Sequence, residues 1–202
     1  MSSILFVCTG NVCRSPLAEL LLRSRLDDAG LSGIRVASAG TDAPVGAEMD
    51  PLTQEVAADM GLDGSVHRAR MLDRAMLEDA DLVLTAARLQ RKSAVQLLPR
   101  AVRYSFTLLQ ASQLLSVESE EAPVTPDLNP GRRRTVANQV TAVRDHMVRN
   151  RGALTGGTDL TGDIDDPFGG DISLHRRVAL EIAESVDVLA VALLETEQVS
   201  ER

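Results

Sequence analysis

A continuous apolar run, Ile4-Leu5-Phe6-Val7, stands directly before the loop Cys8-Thr9-Gly10-Asn11-Val12-Cys13-Arg14-Ser15 and the pair Ser15-Pro16. No other stretch limits the fold as much. An unbroken apolar run of this length is what a strand buried on both faces requires, and such strands belong to parallel sheets covered on both sides. Serine is a good N-cap and proline is favoured in the first helical position, so a helix is expected to start there. Leu17, Leu20, Leu21 and Ser24 mark one side of it, and Gly30 supplies a stop. The chain therefore opens as strand, loop, helix.

The same rhythm continues. Ile34 to Ala37 reads as a second strand. Asp50-Pro51 repeats the cap-plus-proline signal, with Leu52, Val56 and Met60 at four-residue spacing before Gly61. Asp73 to Ala80 is a short helix candidate, Leu82-Val83-Leu84 a third buried strand, Ala87 to Leu98 a helix, and Val102 to Phe106 a fourth strand. Val178, Ile182, Val186, Leu189 and Leu193 fall on one helical stripe. Strands alternating with helices predict an α/β three-layer sandwich, a four-stranded parallel sheet with helices on both faces. The length of 202 residues suits a single domain over 1–202.

One region breaks the pattern, at about 110–162, and is expected to be an irregular helical insertion. Ser116 to Arg134 carries Glu118, Glu120, Glu121 and Asp127, then Pro123, Pro126 and Pro130, then Arg132-Arg133-Arg134, and reads as loop with a solvated basic face. Val136, Val140, Val143 and Met147 have helical spacing within Thr135 to Arg149, and Arg151 to Asp163 is again loop. It would act as a lid, a docking element or a passive insertion.

Composition narrows the function classes. A net charge of −8 argues against nucleic acid or an anionic membrane as partner. No apolar run approaches the roughly 18 residues of a membrane span, and Met1 to Val7 lacks the charged and apolar regions of a signal peptide. The two cysteines, Cys8 and Cys13, exclude a disulfide framework and a four-cysteine zinc site, and fit a cytoplasmic protein with reactive thiols. Nothing in the sequence fixes an oligomeric state.

The chemistry is concentrated in the first loop. Ligands of α/β sheets bind beyond the carboxyl ends of the strands. Successive amides of such a loop form an anion nest, and the helix N-terminus adds its positive dipole end. Gly10 lets the backbone approach a ligand, and Asn11 tolerates left-handed geometry. A cysteine beside a cation at a helix N-terminus is the setting in which a thiol becomes a nucleophile. Arg14 offers a planar fork that matches two phosphate oxygens. Ser15 can donate to the Cys8 sulfur or act as a plain cap. Thr9, Gly10, Asn11, Val12, Cys13, Arg14 and Ser15 are the expected phosphate cradle around Cys8. A lone cysteine is usually a buried structural thiol; a cysteine followed after five residues by Arg-Ser, with Gly and Asn between, is not a lone cysteine.

This loop resembles the signature of the low-molecular-weight protein tyrosine phosphatases, Cys-x-Gly-Asn-x-Cys-Arg-Ser, at every fixed position. Ser38-Ala39-Gly40-Thr41, His67-Arg68-Ala69-Arg70 and Asp166-Pro167-Phe168 resemble three further segments of that family, and the likeness covers about residues 3–106 and 163–195. It implies a phosphatase that needs neither metal nor cofactor and acts on a phosphoprotein or another phosphomonoester. Cys8 would attack phosphorus, Arg14 would hold the equatorial oxygens, and Asp166 would protonate the leaving oxygen before activating water. Asp166 is chosen over Asp163 and Asp165 because the family's acid directly precedes the proline. Phe168 would wall the substrate ring. Cys13 either packs in the loop or forms a reversible disulfide with Cys8, and the resemblance implies the second. Asn11 is expected to shape the loop without touching substrate, and His67 is as fit for a structural role as for a catalytic one.

Two features depart from the family. Gly169-Gly170 follows Phe168 where a second aromatic often stands, so one wall is missing. Asp-Pro-Phe-Gly-Gly also resembles relatives that act on phosphoarginine, yet those carry Thr where this loop has Val12. A branched apolar residue in the cradle favours an aryl ester, so a phosphotyrosine-type substrate is expected. The alternatives are a protein arginine phosphatase, or an arsenate reductase on the same fold that draws on an external thiol. A non-catalytic phosphate-binding module would have lost the nucleophile or the acid, and both are present. The second departure is the span of about sixty residues between Phe106 and Asp166, more than the compact family needs.

Overall fold

The structure, a computed structural model, describes residues 2–116, 136–152 and 162–198. Its centre is a parallel four-stranded sheet in the order β2-β1-β3-β4, formed by β1 (Ser2–Cys8), β2 (Ile34–Gly40), β3 (Leu82–Thr85) and β4 (Ser105–Thr107). Alternate residues of β1 enter different cores, which is why its apolar run is unbroken. Ile4 and Phe6 join Leu17, Leu21 and Leu22 in the larger core. Leu5 and Val7 join Leu77, Val83, Ala94 and Leu98 in the smaller one.

The larger core is covered by α1 (Arg14–Asp28), α2 (Pro51–Asp59), α5 (Leu108–Ser116), α6 (Val136–Asn150) and α7 (Ile172–Gln198). The opposite face carries α3 (Arg74–Glu78), α4 (Arg88–Leu97) and a 3-10 turn over Pro99–Arg103. The stripe read on α7 is buried along its length, from Val178 and Ile182 to Val186, Leu189 and Leu193. Leu108, Ala111 and Leu114 of α5 and Val140, Val143 and Met147 of α6 belong to the same core. The helical part of the segment at about 110–162 is thus packed against the body of the protein. The loop read at Ser116 to Arg134, with its arginines, lies outside the described residues apart from Ser116, as does most of the loop at Arg151 to Asp163.

Local signals set most boundaries. Asp50 caps α2 by accepting from the amides of Leu52 and Thr53 at 3.0 and 3.1 Å, ahead of Pro51. Asp73 caps α3 through Met76 N at 2.8 Å. Two expectations fail. The segment from Val102 to Phe106 is not all strand: Pro99 starts a 3-10 turn that buries Ala101, and β4 begins only at Ser105. Helix α1 begins at Arg14 with Cys13 at its N-cap position, so Ser15 is inside the helix and does not cap it.

Candidate active site

The site lies where β1 ends and α1 begins. Cys8 pairs in register with Gly40 of β2, and Val7 with Thr85 of β3, so the loop at 9–13 emerges between two neighbouring strands. Thr41 N donates to the Cys8 carbonyl and Asp42 N to the Thr9 carbonyl, both at 3.0 Å, and Asp50 N donates to the Val12 carbonyl at 2.9 Å. These bonds bind the loop from outside. From inside, Asn11 organises it. Asn11 is fully buried with φ 54, the left-handed conformation expected of it. Its Nδ2 donates to Ser15 Oγ and Ser38 Oγ at 2.9 Å each, and its Oδ1 accepts from Arg70 N at 2.8 Å. His67 Nε2 meets the Asn11 carbonyl at 2.7 Å, a contact with the loop backbone.

The sulfur of Cys8 sits among donors. Asn11 N donates to Sγ at 3.2 Å, and Ser15 Oγ lies 3.0 Å from it. The serine read from sequence as a possible cap is turned toward the sulfur instead, and Asn11 Nδ2 fixes its hydroxyl. Within the protein itself the closest approach to the loop is made by Gly40. A Cβ on Gly10 would meet only the Val12 side chain, at 3.4 Å, whereas one on Gly40 would stand 2.4 Å from the Thr9 carbonyl oxygen and 2.9 Å from Asn11 N. Gly40 is the residue that lets β2 and the loop touch. Thr9 is held from the other side by Gln90 of α4, whose Nε2 donates to Thr9 Oγ1 at 2.9 Å. Nothing in the local pattern of α4 marks Gln90 for this role.

Arg14 is 5% exposed and reaches across the fold. One terminal nitrogen donates to the Ile164 carbonyl at 2.9 Å and the other to Asp166 Oδ2 at 2.6 Å. Its Nε is buried with no hydrogen-bond partner among the described residues. A buried donor left unpaired costs about 1–3 kcal/mol, and a guanidinium at an anion nest is a reason for one to persist. The three aspartates near the proline are sorted by their partners. Asp163 accepts from Arg88 N at 2.7 Å, and Asp165 pairs with Arg177 at 2.9 Å. Of the three, Asp166 is the one joined to Arg14, and its side chain is half-exposed.

Phe168 is 68% exposed beside this carboxylate, with its amide donating to Asp166 Oδ1 at 3.3 Å. Of the two glycines after it, Gly169 has φ 77, the left-handed region that favours glycine, and a Cβ on Gly170 would lie 3.0 Å from the Pro167 carbonyl oxygen. Val12 is buried with Cys13, Ala43 and Ala69 in a small apolar cluster. Cys13 is also buried. Desolvation pushes its thiol up to about 12, a hydrogen bond from Thr53 acts in the opposite sense, and Asp50, Cys8 and Asp166 add to the rise. Both cysteines are free thiols. Among the described residues no cluster of three or more His, Cys, Asp or Glu is placed to hold a metal, and no helix is long and apolar enough to cross a membrane.

A parallel α/β sheet whose first strand delivers a cysteine into a loop of inward-facing donors, with a buried arginine at the following helix start, defines a class of small oxyanion-binding proteins. The chain belongs to one family of that class: the profile of the low molecular weight phosphotyrosine protein phosphatases matches residues 3–110. A protein described as "Probable low molecular weight protein-tyrosine-phosphatase EpsP" of Ralstonia solanacearum is 42% identical over 92 residues, 46% of this chain and 60% of that protein. A protein-arginine-phosphatase of Geobacillus stearothermophilus is 31% identical over 195 residues, 96% of this chain and 97% of that one. The solved YwlE arginine phosphatase structure from Geobacillus stearothermophilus superimposes with a TM-score of 0.67 at 30% identity, covering 100% of this chain and 98% of that one. Similarity to the tyrosine-phosphatase relative is confined to about half of this chain, and similarity to the arginine-phosphatase relative runs along nearly all of it.

Proposed function

We propose that this chain is a cytoplasmic protein phosphatase that hydrolyses phosphotyrosine-type monoesters through a phosphocysteine on Cys8. The observation that carries the reading is the pairing of a donor-surrounded sulfur with a buried Arg14 whose Nε is unpartnered. An oxyanion with several acceptor oxygens satisfies that nitrogen and the loop amides together.

In the first step Cys8 Sγ attacks phosphorus and the ester oxygen leaves with a proton from Asp166. Arg14 and the amides of the cradle, Thr9 to Ser15, hold the three equatorial oxygens where charge develops. Loss of one such donor typically costs about 10² to 10³ in rate. Ser15 Oγ and Asn11 N donate to the sulfur, which stabilises it as nucleophile and again as leaving group. In the second step Asp166, now ionised, takes a proton from water, and that water attacks the phosphocysteine. No step uses a metal or a cofactor. Phe168 lines one side of the substrate ring.

A second reading has its own support. Similarity to an arginine phosphatase extends over 96% of the chain, and the positive φ of Gly169, 77, disfavours a second aromatic wall there. Val12 favours the aryl ester. The test is hydrolysis of an aryl phosphate by purified protein without metal, beside Cys8→Ser and Asp166→Asn, followed by matched phosphotyrosine and phosphoarginine peptides. Turnover abolished by Cys8→Ser supports the phosphatase reading. No turnover by folded wild type overturns it and brings arsenate reduction with added thiol forward. Faster release from phosphoarginine peptides overturns the substrate assignment alone.

A further inference from the structure

The segment that carries Asp166 is held at its two ends. Ile164, buried in the larger core, fastens the first. Between it and α7 only Pro167 is buried, while Asp165, Asp166, Phe168 and Gly169 are exposed. The second end therefore depends on the first turn of α7, where His175 is the first buried side chain of the helix. Asp171 ties that turn together: Leu174 N donates to its carboxylate at 2.9 Å and His175 N to its carbonyl at 3.2 Å.

His175 meets α2 through polar atoms. Its Nδ1 lies 3.0 Å from Thr53 Oγ1 and 3.7 Å from Asp50 Oδ1. Thr53 and His175 are each 3% exposed. Packing alone does not ask for this arrangement. His175 Nε2 is buried without a partner among the described residues, and an apolar side chain at that position would avoid the cost. The ion pairs of Arg176 with Glu55 and Asp59 also join α7 to α2, but they are exposed, and such pairs contribute little. Asp50 differs from those acids because it also belongs to the cradle: its amide donates to the Val12 carbonyl at 2.9 Å. One residue thus holds the loop around Cys8 with its backbone and faces the start of α7 with its side chain.

We propose that His175 is a positioning residue for Asp166: by fastening the first turn of α7 to Thr53 and Asp50, it sets where the carboxyl stands relative to the cradle. The role rests on the reading of Asp166 as the general acid. Transfer of a proton to the leaving oxygen needs the two heavy atoms within about 2.6–3.2 Å. A misplacement of about 1 Å costs about a hundredfold. The imidazole itself touches neither the substrate nor the reacting atoms.

The test compares kcat/KM of the full chain, which covers the steps up to release of the leaving group, on two esters. Phenyl phosphate releases a phenol of ordinary pKa, about 10, and needs the acid. The leaving group of 2,4-dinitrophenyl phosphate departs as the anion and does not. His175→Phe fills the same space without the polar tie, and Thr53→Val removes the partner from a separate helix, so failure of one to fold leaves the other informative. Both are expected to lose about ten- to a hundredfold on phenyl phosphate and to stay within about threefold of wild type on the dinitrophenyl ester. Thr53→Ser, which keeps the hydroxyl, is expected to match wild type on both. Added to Asp166→Asn, His175→Phe is expected to cause no further loss, because the group it positions is gone. A merely structural role would lower both esters alike and persist in the Asp166→Asn background. Equal losses on the two esters in His175→Phe and Thr53→Val, wild-type values on both, or a further loss beside Asp166→Asn overturns the positioning role and leaves the phosphatase reading standing. Turnover of neither ester by folded wild type, or equal losses on the two in Asp166→Asn, overturns the acid assignment and the role of His175 with it.

Discussion

Replacing Gly40 with alanine tests whether contact between β2 and the loop sets the geometry of the site. The added Cβ stands 2.4 Å from the Thr9 carbonyl oxygen. A carbon and a carbonyl oxygen settle at about 3.3 Å or more, so one side must retreat by about 1 Å. The end of β2 is not free to do so. Gly40 N donates to the Arg70 carbonyl at 2.9 Å, Leu72 N donates to the Gly40 carbonyl at 2.7 Å, and Thr41 N is bonded to the Cys8 carbonyl. The displacement therefore falls on Thr9 to Asn11. Overpacking of this kind costs about 1–3 kcal/mol, which for a chain of this size lowers Tm by roughly 2–12 °C. A shift of about 1 Å in a catalytic loop costs about a hundredfold in rate. Gly10→Ala is the control for stability, because its Cβ meets a side-chain methyl at 3.4 Å, an ordinary contact. Urea unfolding of both variants, and aryl phosphate turnover of Gly40→Ala beside wild type, decide the matter. Equal stability of the two variants with wild-type turnover in Gly40→Ala would refute the reasoning.

Asp166→Asn is expected to lower kcat on phenyl phosphate by about 10² to 10³, while Asp163→Asn and Asp165→Asn, which lose surface pairs with Arg88 and Arg177, stay within about threefold of wild type. Steady-state rates on all three check the assignment, and an equal loss in Asp165→Asn would undo it. Ile164→Ala removes a side chain that is 2% exposed and is expected to cost about 2–5 kcal/mol in urea unfolding, with a fall in kcat, because the Ile164 carbonyl steadies Arg14. Cys13 carries a pH signature. Its folded thiol is raised from 9.0 to about 12. The folded state thus keeps the proton longer than the unfolded chain, and the stabilisation is full below the ordinary thiol value and is lost as pH rises toward the raised one. Unfolding free energy of wild type, compared with Cys13→Ala, is expected to fall with an extra slope of up to about 1.4 kcal/mol per pH unit above pH about 9, and parallel curves would contradict it.

The parts of the fold that were legible in the sequence are those with short-range causes. Ile4 to Val7 announced a strand buried on both faces, and Asp50-Pro51 announced a capped helix, because both signals act within a few residues. Of the two roles read for Ser15, only the cap fails, and for the same reason. Its preference for N-caps is a statement about local backbone donors, and it lost to a sulfur and an asparagine amide that close around it only when the loop is formed. Gly40 carries a steric demand that its own segment does not announce, because the pairing of β1 with β2 brings it against the loop. Thr53 and His175 are 122 residues apart in sequence, and neither residue type signals that they meet inside the protein. Relations of this kind arise from topology, and no periodicity encodes them.

The same limit applies to Asp166, with a difference. Asp166 could be picked from three aspartates only by its place before a proline, yet the structure gives each of the three a separate arginine. Surface ion pairs such as Asp165 with Arg177 contribute little, about 0–1 kcal/mol, so they do not by themselves hold the segment. The anchor is Ile164, buried in the larger core, with its amide donating to the Ala86 carbonyl at 2.9 Å and its own carbonyl accepting from Arg14. Ala86 follows β3, the neighbour of β1, and its own amide donates to the Val7 carbonyl one residue before Cys8. Asp166, Arg14 and Cys8 are therefore referenced to the same pair of strands, although 152 residues separate Arg14 from Asp166. Helices α5 and α6 pack on α7 and the sheet, so the described helices of this region support the same core that holds Ile164 against β1 and β3.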